Sequence, residues 1–471
     1  MNLYSRRNFL GGCAALGALP TLRTFADAVA SKPLMKLGVV SDMHINRSGD
    51  EKWWKRSLEF FRDRGVDGVV CCGDFADTGT KTQMKIFADV WYSVFPEGKY
   101  PDGRKCEQLF VYGNHCIDFW QREKGLKENP DKAAAEAIGV GDNRAKFWEE
   151  IFHEPFAPVW IKKLNGCTII GAHWRSWERP ECKLEAFLEA HRSEIDPAKP
   201  FLYLQHDHVG GTTFDKWGWG NDRGRSFPAL AKFPNCVAFT GHSHYTLTDD
   251  RGWWQNEFTS VNAGSLVYSS KEYSLVENSI GNDWGHREKR RHKMWSNGTD
   301  DGRQGAIATF YPDRIEIERR EFYYGTESLG PDWIIPFPAK GDPALTYAGR
   351  AAKRSAPEFA PDAVLKIGKT DQRGEPRIAL TVPPALMVDG CRPFHFEATA
   401  TIVEDGVDLV QAQRRVLTAD FHRSLLRMNR DTPIWFDPKE LVEKGHYVFS
   451  VRPVDCFGAK GRAITAETIV E

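Results

Sequence analysis

The chain has 471 residues, with 63 lysine and arginine residues against 64 aspartate and glutamate residues. This length is enough for two or three domains with sizeable cores. The balanced charge argues against a nucleic-acid-binding protein with a large basic surface, and against a long acidic disordered arm.

The N-terminal segment, residues 1–28, is typical of a twin-arginine signal peptide. Arg6 and Arg7 precede a short apolar stretch, and Ala26 and Ala28 form a small-residue cleavage site. An ordinary secretory signal is the alternative interpretation of the arginine pair. Because the apolar stretch is too short for a permanent transmembrane helix, we expect cleavage, export of the folded chain to the periplasm or outside the cell, and no integral membrane segment afterwards.

Strands and helices alternate from residue 35 to about residue 245. The hydrophobic periodicity predicts strands within 35–45, 66–75 and 107–115, and helices within 51–65, 80–95 and 133–152, the last interrupted by glycines. This βαβ pattern predicts an α/β fold with right-handed connections. A functional site is then expected at the carboxyl ends of the strands.

The later part of the chain is dominated by strand patterns. We expect a hairpin over 160–174 with its turn at Asn165 and Gly166, and further strands within 258–268 and 305–324. Residues 327–358 are rich in Pro, Gly and Ala, which predicts a linker. Residues 359–471 then form a small all-β domain, whose last hairpin resembles that of a fibronectin type III or immunoglobulin-like module.

Five short segments place metal-binding side chains directly after an apolar run. These side chains are Asp42, His44, Asp74, Asn114, His115, His206, His242 and His244. Because each apolar run is typical of a buried parallel strand, we expect the polar groups to converge. Carboxylate and imidazole ligands without paired thiolates suit Mn, Fe or Zn in an open catalytic site. The set is large enough for two divalent or transition-metal ions, with Asp74 as a bridge.

Taken in order, these segments resemble the motifs of the calcineurin-like metallophosphoesterases: Asp-x-His, Gly-Asp, Gly-Asn-His, a lone His and Gly-His-x-His. The resemblance implies a catalytic domain over residues 33–326, built as a two-sheet sandwich flanked by helices. It implies hydrolysis of a phosphomonoester or phosphodiester by a hydroxide that bridges two ions. It assigns one ion to Asp42, His44, Asp74 and His244, and the other to Asp74, Asn114, His206 and His242. His115 is the expected catalytic residue, as the acid for the leaving group or a contact to the transition state.

Two positions depart from the family pattern. Cys116 stands where an acidic residue is common, and His206-Asp207-His208 replaces a His-His-Pro type segment. Either His206 or His208 is the ligand, and His206 is favoured because it directly follows the apolar run. His208 is then predicted to bind substrate, together with the Gly- and Trp-rich loop 210–224. Three other histidines, His153, His173 and His286, are predicted to be structural or exposed.

The sequence therefore predicts an exported phosphoesterase with two metal ions. Its partner is a small-molecule or headgroup phosphate ester rather than a nucleic acid. One alternative is a protein that binds a cell-surface polymer through its β domain and keeps a structural metal site. Another is a nuclease on the same scaffold, which the balanced charge disfavours because contacts to a phosphate backbone require clustered Lys and Arg.

Overall fold

A computed structural model describes residues 32–178, 183–214, 220–267, 302–372, 375–404, 407–436, 440–441 and 444–470. The predicted signal peptide, residues 1–28, and residues 215–219 of the predicted loop lie outside these ranges. From Pro33 onward the chain forms one unit. Among the described residues, no helix combines the length and the apolar character needed to cross a membrane.

Strands and helices follow one another in the predicted order in the first part of the chain. The strands are β1 (Met35–Val40), β2 (Gly68–Cys71), β3 (Glu107–Phe110), β4 (Val159–Leu164), β5 (Cys167–Ala172), β6 (Phe201–Leu204), β7 (Cys236–Thr240), β8 (Trp253–Gln255), β9 (Thr259–Asn262), β10 (Gln304–Phe310), β11 (Arg314–Glu321), β12 (Glu327–Ser328), β13 (Trp333–Pro336), β14 (Glu358–Phe359), β15 (Lys366–Gln372), β16 (Glu375–Val382), β17 (Ala385–Leu386), β18 (His395–Glu404), β19 (Val407–Leu417), β20 (Thr432–Phe436), β21 (Gly445–Val454) and β22 (Ile464–Val470). The α-helices are α1 (Lys52–Asp63), α2 (Lys81–Val94), α3 (Asn114–Asp118), α4 (Lys124–Lys127), α5 (Pro130–Glu136), α6 (Asn143–Phe152), α7 (Leu184–Ala190), α8 (Phe227–Leu230) and α9 (Tyr347–Ala351). Short 3₁₀ helices cover Pro96–Gly98, Phe119–Arg122, Ser176–Glu178, Arg192–Glu194, Asp250–Gly252, Pro343–Leu345 and Leu425–Arg427.

The first sheet has the strand order β12-β11-β10-β1-β2-β3, and β13 also pairs with β11, at residues 314–317, whereas β12 pairs at Arg320 and Glu321. Strands β1, β2 and β3 are parallel, whereas β10 runs antiparallel to β1. The three parallel strands are joined by α1 and α2, as the βαβ pattern predicts. Their carboxyl ends therefore lie at one edge of the sheet.

The second sheet has the order β4-β5-β6-β7-β9-β8. Within it, β5, β6, β7 and β9 are parallel. The hairpin of β4 and β5 turns at Asn165 and Gly166, which both have positive φ, 50° and 78°. This conformation is the one that a two-residue turn of type I′ requires, and it explains the Asn-Gly pair.

One apolar core lies between the two sheets and shares buried residues from both, including Val39 and Val70 of the first and Leu202 and Phe239 of the second. A second core packs α1 and α2 against the outer face of the first sheet, and a third packs α7 and α8 against the second sheet. Three apolar side chains of α1, Trp54, Leu58 and Phe61, are all buried there. The part of the chain that forms the first two sheets is thus a pair of mixed sheets flanked by helices.

The C-terminal region consists of antiparallel sheets, in agreement with the predicted all-β character. They have the orders β15-β16-β20, β19-β18-β21-β22 and β14-β17. Residues of the three- and four-stranded sheets share one buried core, with Leu380 and Ile434 on one side and Phe396 and Phe449 on the other. The relation to a fibronectin or immunoglobulin-like module stays a prediction.

The segment 327–358 differs from a simple linker, because it contributes β12 and β13 to the first sheet. Ile335 of β13 pairs with Ile315 of β11, and Trp333 and Ile335 are buried while Ile334 is exposed. This alternation is typical of an edge strand, but the surrounding Pro and Gly residues mask it in the sequence. The helix expected over 133–152 is divided into α5 and α6, with Gly139 and Gly141 between them.

Candidate metal centre

The predicted ligands leave the carboxyl ends of strands in both sheets. Asp42 and His44 follow β1, and Asp74 follows β2. Asn114 and His115 open α3 directly after β3. From the second sheet, His206 follows β6, and His242 and His244 follow β7. The two parallel edges therefore deliver all eight predicted side chains to one region.

These side chains form three overlapping groups in which the ligand atoms lie within 4.8 Å of one another. The groups are Asp42, His44 and His244; Asp74, His206 and His242; and His44, Asp74 and His115. The first two groups contain every residue that the family pattern assigns to the two ions except Asn114. The division into two ions stays a prediction.

In the first group, the side-chain atoms face one another closely. Asp42 Oδ1 lies 3.3 Å from His244 Nε2, and the Nε2 atoms of His44 and His244 are 3.1 Å apart. His44 Nδ1 meets Asp77 Oδ1 at 3.0 Å, and His244 Nδ1 meets the Ser265 hydroxyl at 3.2 Å. With their Nδ1 atoms engaged, both rings present Nε2 to the centre, as outer contacts commonly orient metal-binding histidines.

In the second group, Asp74 stands between the two sets. His206 Nε2 lies 3.0 Å from Asp74 Oδ2 and 2.9 Å from Asn114 Oδ1, and His44 Nε2 is 3.7 Å from the same Asp74 oxygen. His206 Nδ1 donates to the carbonyl of Cys72 at 2.6 Å, which leaves Nε2 as the ligand atom. Asp74 thus reaches histidines of both sets, and it lies closer to His206 than Asp42 does, whose Oδ1 is 4.0 Å from His206 Nε2.

The buried charges of the site fit a bound cation. Asp42 is completely buried, and its Oδ1 accepts no hydrogen bond from the described part of the chain. A buried carboxylate oxygen without a donor is costly unless a cation is present. Burial lowers the pKa of His44, but Asp42, Asp77 and Asp74 outweigh it and raise this pKa to about 10. Burial also lowers the pKa of His206, but Asp74 and Asp42 outweigh it and raise this pKa to about 9. The site thus attracts positive charge, and its oxygen and imidazole donors match Mn, Fe or Zn.

The backbone around the ligands is unusual. Five of them have positive φ, between 45° and 71°: Asp42, His44, Asp74, His242 and His244. Such a conformation costs non-glycine residues free energy, of order 1–3 kcal/mol each, and persists at functional sites where the surroundings enforce it. A Cβ atom on Gly113 would lie 2.2 Å from Asp74 Oδ1, so only glycine permits this approach.

His115 lies at the margin of the centre. Its backbone N–H donates to Asp74 Oδ1 at 2.8 Å, and its Nδ1 donates to the Asp77 carbonyl at 2.7 Å. The ring stacks on Phe119 with centroids 3.7 Å apart, and its centroid is 4.3 Å from that of His44. These contacts hold the ring beside the metal ligands and leave Nε2 for a substrate or an ion.

Asp77 is a site residue that the sequence analysis missed. Its carboxylate is 3.0 Å from His44 Nδ1 and 3.5 Å from His115 Nδ1, so it orients both rings. Burial would raise the pKa of Asp77, but His115 and His44 lower it well below its usual range. Its only sequence signal is its position three residues after Asp74. It does not directly follow the apolar run, as the predicted ligands do.

His208 is the one predicted site residue whose position conflicts with its role. It is fully buried, and its ring contacts Thr240 Oγ1 at 2.8 Å and Ser243 Oγ at 2.6 Å. With both ring nitrogens engaged inside the protein, it braces the segment that carries His242 and His244 and leaves no nitrogen free to bind a substrate. The alternation within His206-Asp207-His208 sends His206 to the ligand cluster and His208 into the protein interior. Asp207 lies 3.6 Å from His242 Nε2, and burial raises its pKa to about 7.

A comparison with known protein families agrees with this architecture. The model of the calcineurin-like phosphoesterase superfamily domain matches residues 35–277. No curated protein matches the chain. Among solved structures, a dimetal phosphatase from Danio rerio is 13% identical, with a TM-score of 0.36, and the match covers 65% of this chain and 100% of that one. The GAP50 anchor of the inner membrane complex of Plasmodium is 11% identical, with a TM-score of 0.38 and coverage of 68% and 95%. Structural likeness at these scores carries no functional argument.

Proposed function

Because the chain belongs to the calcineurin-like phosphoesterase superfamily, we propose that it is a metal-dependent hydrolase of phosphate esters that uses two ions. The observation that carries this proposal is the position of Asp74, whose Oδ2 lies 3.0 Å from His206 Nε2 and 3.7 Å from His44 Nε2. One carboxylate thus stands between two ligand groups, as a dinuclear site requires. Asp42, His44 and His244 complete one side, and Asn114, His206 and His242 the other.

Two ions bound in this way would supply an activated water and neutralise charge on the phosphoryl oxygens. The protein's own part is to hold the ligands and the substrate in place. Asp77 fixes His44 and His115, and the carbonyl of Cys72 fixes His206. Because the Nδ1–H of His115 donates to the Asp77 carbonyl, Nε2 is the nitrogen left for the leaving oxygen. Nε2 gives a proton to that oxygen only from the imidazolium form, in which both ring nitrogens are protonated. Such general-acid help contributes about 10²–10⁴ in rate.

The proposed substrate is a phosphomonoester or phosphodiester of a small molecule or a headgroup, and the proposed location is outside the cytoplasm. The support for export is the sequence of residues 1–28, above all Arg6 and Arg7. Replacing both arginines with lysine should keep the precursor in the cytoplasm. Normal export of this double variant would favour the general secretory route instead.

The decisive experiment combines metal analysis with a panel of phosphate esters. We expect about two ions of Mn, Fe or Zn per chain, hydrolysis of at least one ester, loss of activity with a chelator and recovery when metal is added back. Full activity in metal-free protein would refute the mechanism. Tight metal binding without hydrolysis of any ester would support the alternative of a polymer-binding protein with a structural metal site.

A further inference from the structure

A cavity of about 370 Å³ adjoins the metal centre, and its role follows from neither the ligand motifs nor the family match. Among its lining residues are Arg144, Phe156, His173, Trp174, Arg175 and Ser176. The last four follow β5, the parallel neighbour of β6, and so emerge at the edge where His206 lies. The Trp174 ring centroid is 5.9 Å from that of His206 and 5.8 Å from that of His242. Trp174 therefore separates the cavity from the metal ligands.

His173 supplies a buried donor to this cavity. The backbone N–H of Tyr112 donates to His173 Nδ1 at 3.0 Å, so this nitrogen carries no proton. Burial, with Arg144 and Lys162 nearby, lowers the pKa of His173 to about 3 and keeps the ring neutral. The single ring proton must then reside on Nε2, which is buried and has no hydrogen-bond partner among the described residues. A buried N–H without an acceptor is costly and calls for a ligand oxygen.

Other polar groups of the cavity also favour a ligand that offers oxygen atoms and negative charge. The Ser176 hydroxyl is buried and likewise has no partner within the described ranges. Arg144 and Arg175 add two guanidinium groups to the lining. The carboxylate of Asp118 accepts from Trp174 Nε1 at 2.7 Å and lies 3.2 Å from Arg175 Nη2, which holds this wall in place. Asp142 is the one acidic residue among the described residues that line the cavity, and it is exposed to solvent.

We propose that this cavity is a specificity subsite that binds a second anionic group of the substrate, either a phosphate or a carboxylate. The proposal rests on the proposed phosphoesterase function and adds a substrate class to it. His173 Nε2 and Ser176 Oγ donate hydrogen bonds to the anion, and Arg144 and Arg175 neutralise its charge. The scissile phosphate lies at the metal centre on the other side of Trp174. The preferred substrates are therefore doubly anionic esters such as bisphosphates or phosphorylated acids.

The test compares three substrate series of equal chain length: n-alkyl phosphates, α,ω-alkane bisphosphates and ω-carboxyalkyl phosphates. Phosphate release should show at least a tenfold higher kcat/KM for one doubly charged series at its best length, and the better series identifies the anion. Arg144→Gln and Ser176→Ala should remove most of this preference while metal content and turnover of the n-alkyl ester stay unchanged. Lys146→Gln is the matched control, because this exposed cation lies two residues further along α6 and does not line the cavity.

A second measurement separates the subsite from the catalytic proposal. Calorimetry with inorganic pyrophosphate on chelator-treated protein reports binding without turnover. Binding should weaken at least tenfold in Arg144→Gln and Ser176→Ala, but not in Lys146→Gln. If no ester is hydrolysed, this result still supports an anion site while the catalytic proposal fails. Equal kcat/KM for all three series, or unchanged pyrophosphate binding in both cavity variants, would overturn the subsite.

Discussion

A second polar region, here called the junction, lies where the C-terminal sheets meet the rest of the chain, and it consists of Asp250, Arg319, Arg354 and Asp455. The metal centre and the junction are both largely buried, yet their charges are compensated differently. At the metal centre, Asp42 Oδ1 accepts no hydrogen bond from the described residues, and the Nε2 atoms of His44 and His244 face each other at 3.1 Å. At the junction, both oxygens of Asp250 have donors. Trp333 Nε1 donates to Oδ1 and Arg354 Nη1 to Oδ2, each at 2.8 Å.

The junction continues this pattern into the C-terminal region. Arg354 Nε also contacts Asp455 Oδ2 at 2.6 Å, and the backbone N–H groups of Phe457 and Ala459 donate to Asp455 Oδ1. Next to these ion pairs, Tyr245 packs in one apolar cluster with residues such as Phe394 and Phe421 of the C-terminal region. Because Tyr245 directly follows His244, the C-terminal sheets support the loop that carries two predicted ligands.

The contrast teaches how to separate a binding site from a structural network. Buried carboxylates whose oxygens all have donors are already satisfied and have no need of a ligand. A buried carboxylate without a donor, among histidines in strained backbone conformations, is organised for a cation that the protein itself does not supply. Mutations at the metal centre should therefore change metal content and turnover, whereas mutations at the junction should change the free energy of unfolding.

The largest effect is expected for Asp74→Asn at the metal centre. Losing the carboxylate shared by both groups should lower metal content and reduce turnover by about 10³-fold or more, since metal-assisted charge stabilisation contributes several kcal/mol. Metal analysis and initial rates on an aryl phosphate measure both quantities. Asp250→Asn, prepared in parallel, should keep its metal when folded. Wild-type turnover in Asp74→Asn would show that the two groups do not act as one site.

The next largest effect belongs to the junction. Asp250→Ala leaves Arg319 and Arg354 without their shared carboxylate, although Arg354 keeps its contact with Asp455. The Asp250 side chain is 18% exposed, so the cost should lie below the roughly 3–5 kcal/mol of a fully buried ion pair but above that of a surface pair. Urea unfolding in the presence of a chelator gives this loss without the contribution of bound metal. Asp313→Ala is the control, because the Asp313 side chain is 72% exposed in its pair with Arg314 and should change stability little. Equal stability of the two variants would mean that the junction contributes no more than a surface pair.

A smaller and more selective effect is expected for His115→Ala. If His115 protonates the leaving group, the variant should retain its metal and lose about 10²-fold in turnover on an alkyl phosphate, but much less on a nitrophenyl phosphate. The measurement is the ratio of the two losses together with metal content. Equal losses would rule out leaving-group protonation. Loss of metal would identify His115 as a ligand, which its group with His44 and Asp74 also permits.

The same contrast explains what the sequence could predict. The predicted ligands could be named because each follows its own apolar strand, a signal confined to a few residues. The alternation of strands and helices indicated the α/β class in the same way. Asp77 and His173 lack that local signal, and their roles depend on neighbours such as His44 and Tyr112 that are distant in the chain.

The junction has no sequence signature at all. Arg354 and Asp455 are separated by 101 residues, and nothing in either segment indicates the other. The sequence did not predict β13 for a related reason. The burial of Trp333 and Ile335 depends on pairing with β11, which only the fold shows. Local patterns predict elements and ligands, whereas long-range ion pairs require the fold.

The smallest expected effect is a pH dependence that belongs to the junction alone. Burial would raise the pKa of Asp250, but Arg319 and Arg354 outweigh it, so this pKa lies below the ordinary value of 3.8. A carboxylate with a lowered folded-state pKa contributes stability above its unfolded-state pKa, and this contribution is lost as the pH falls through the folded-state value. Wild-type protein should therefore be more stable than Asp250→Asn at pH 6, and the difference should shrink below about pH 4. Urea unfolding of both proteins in chelator at several pH values measures it, and carboxylates common to both cancel. A difference that stays constant from pH 6 to pH 3 would show that Asp250 acts through its hydrogen bonds and not through its charge.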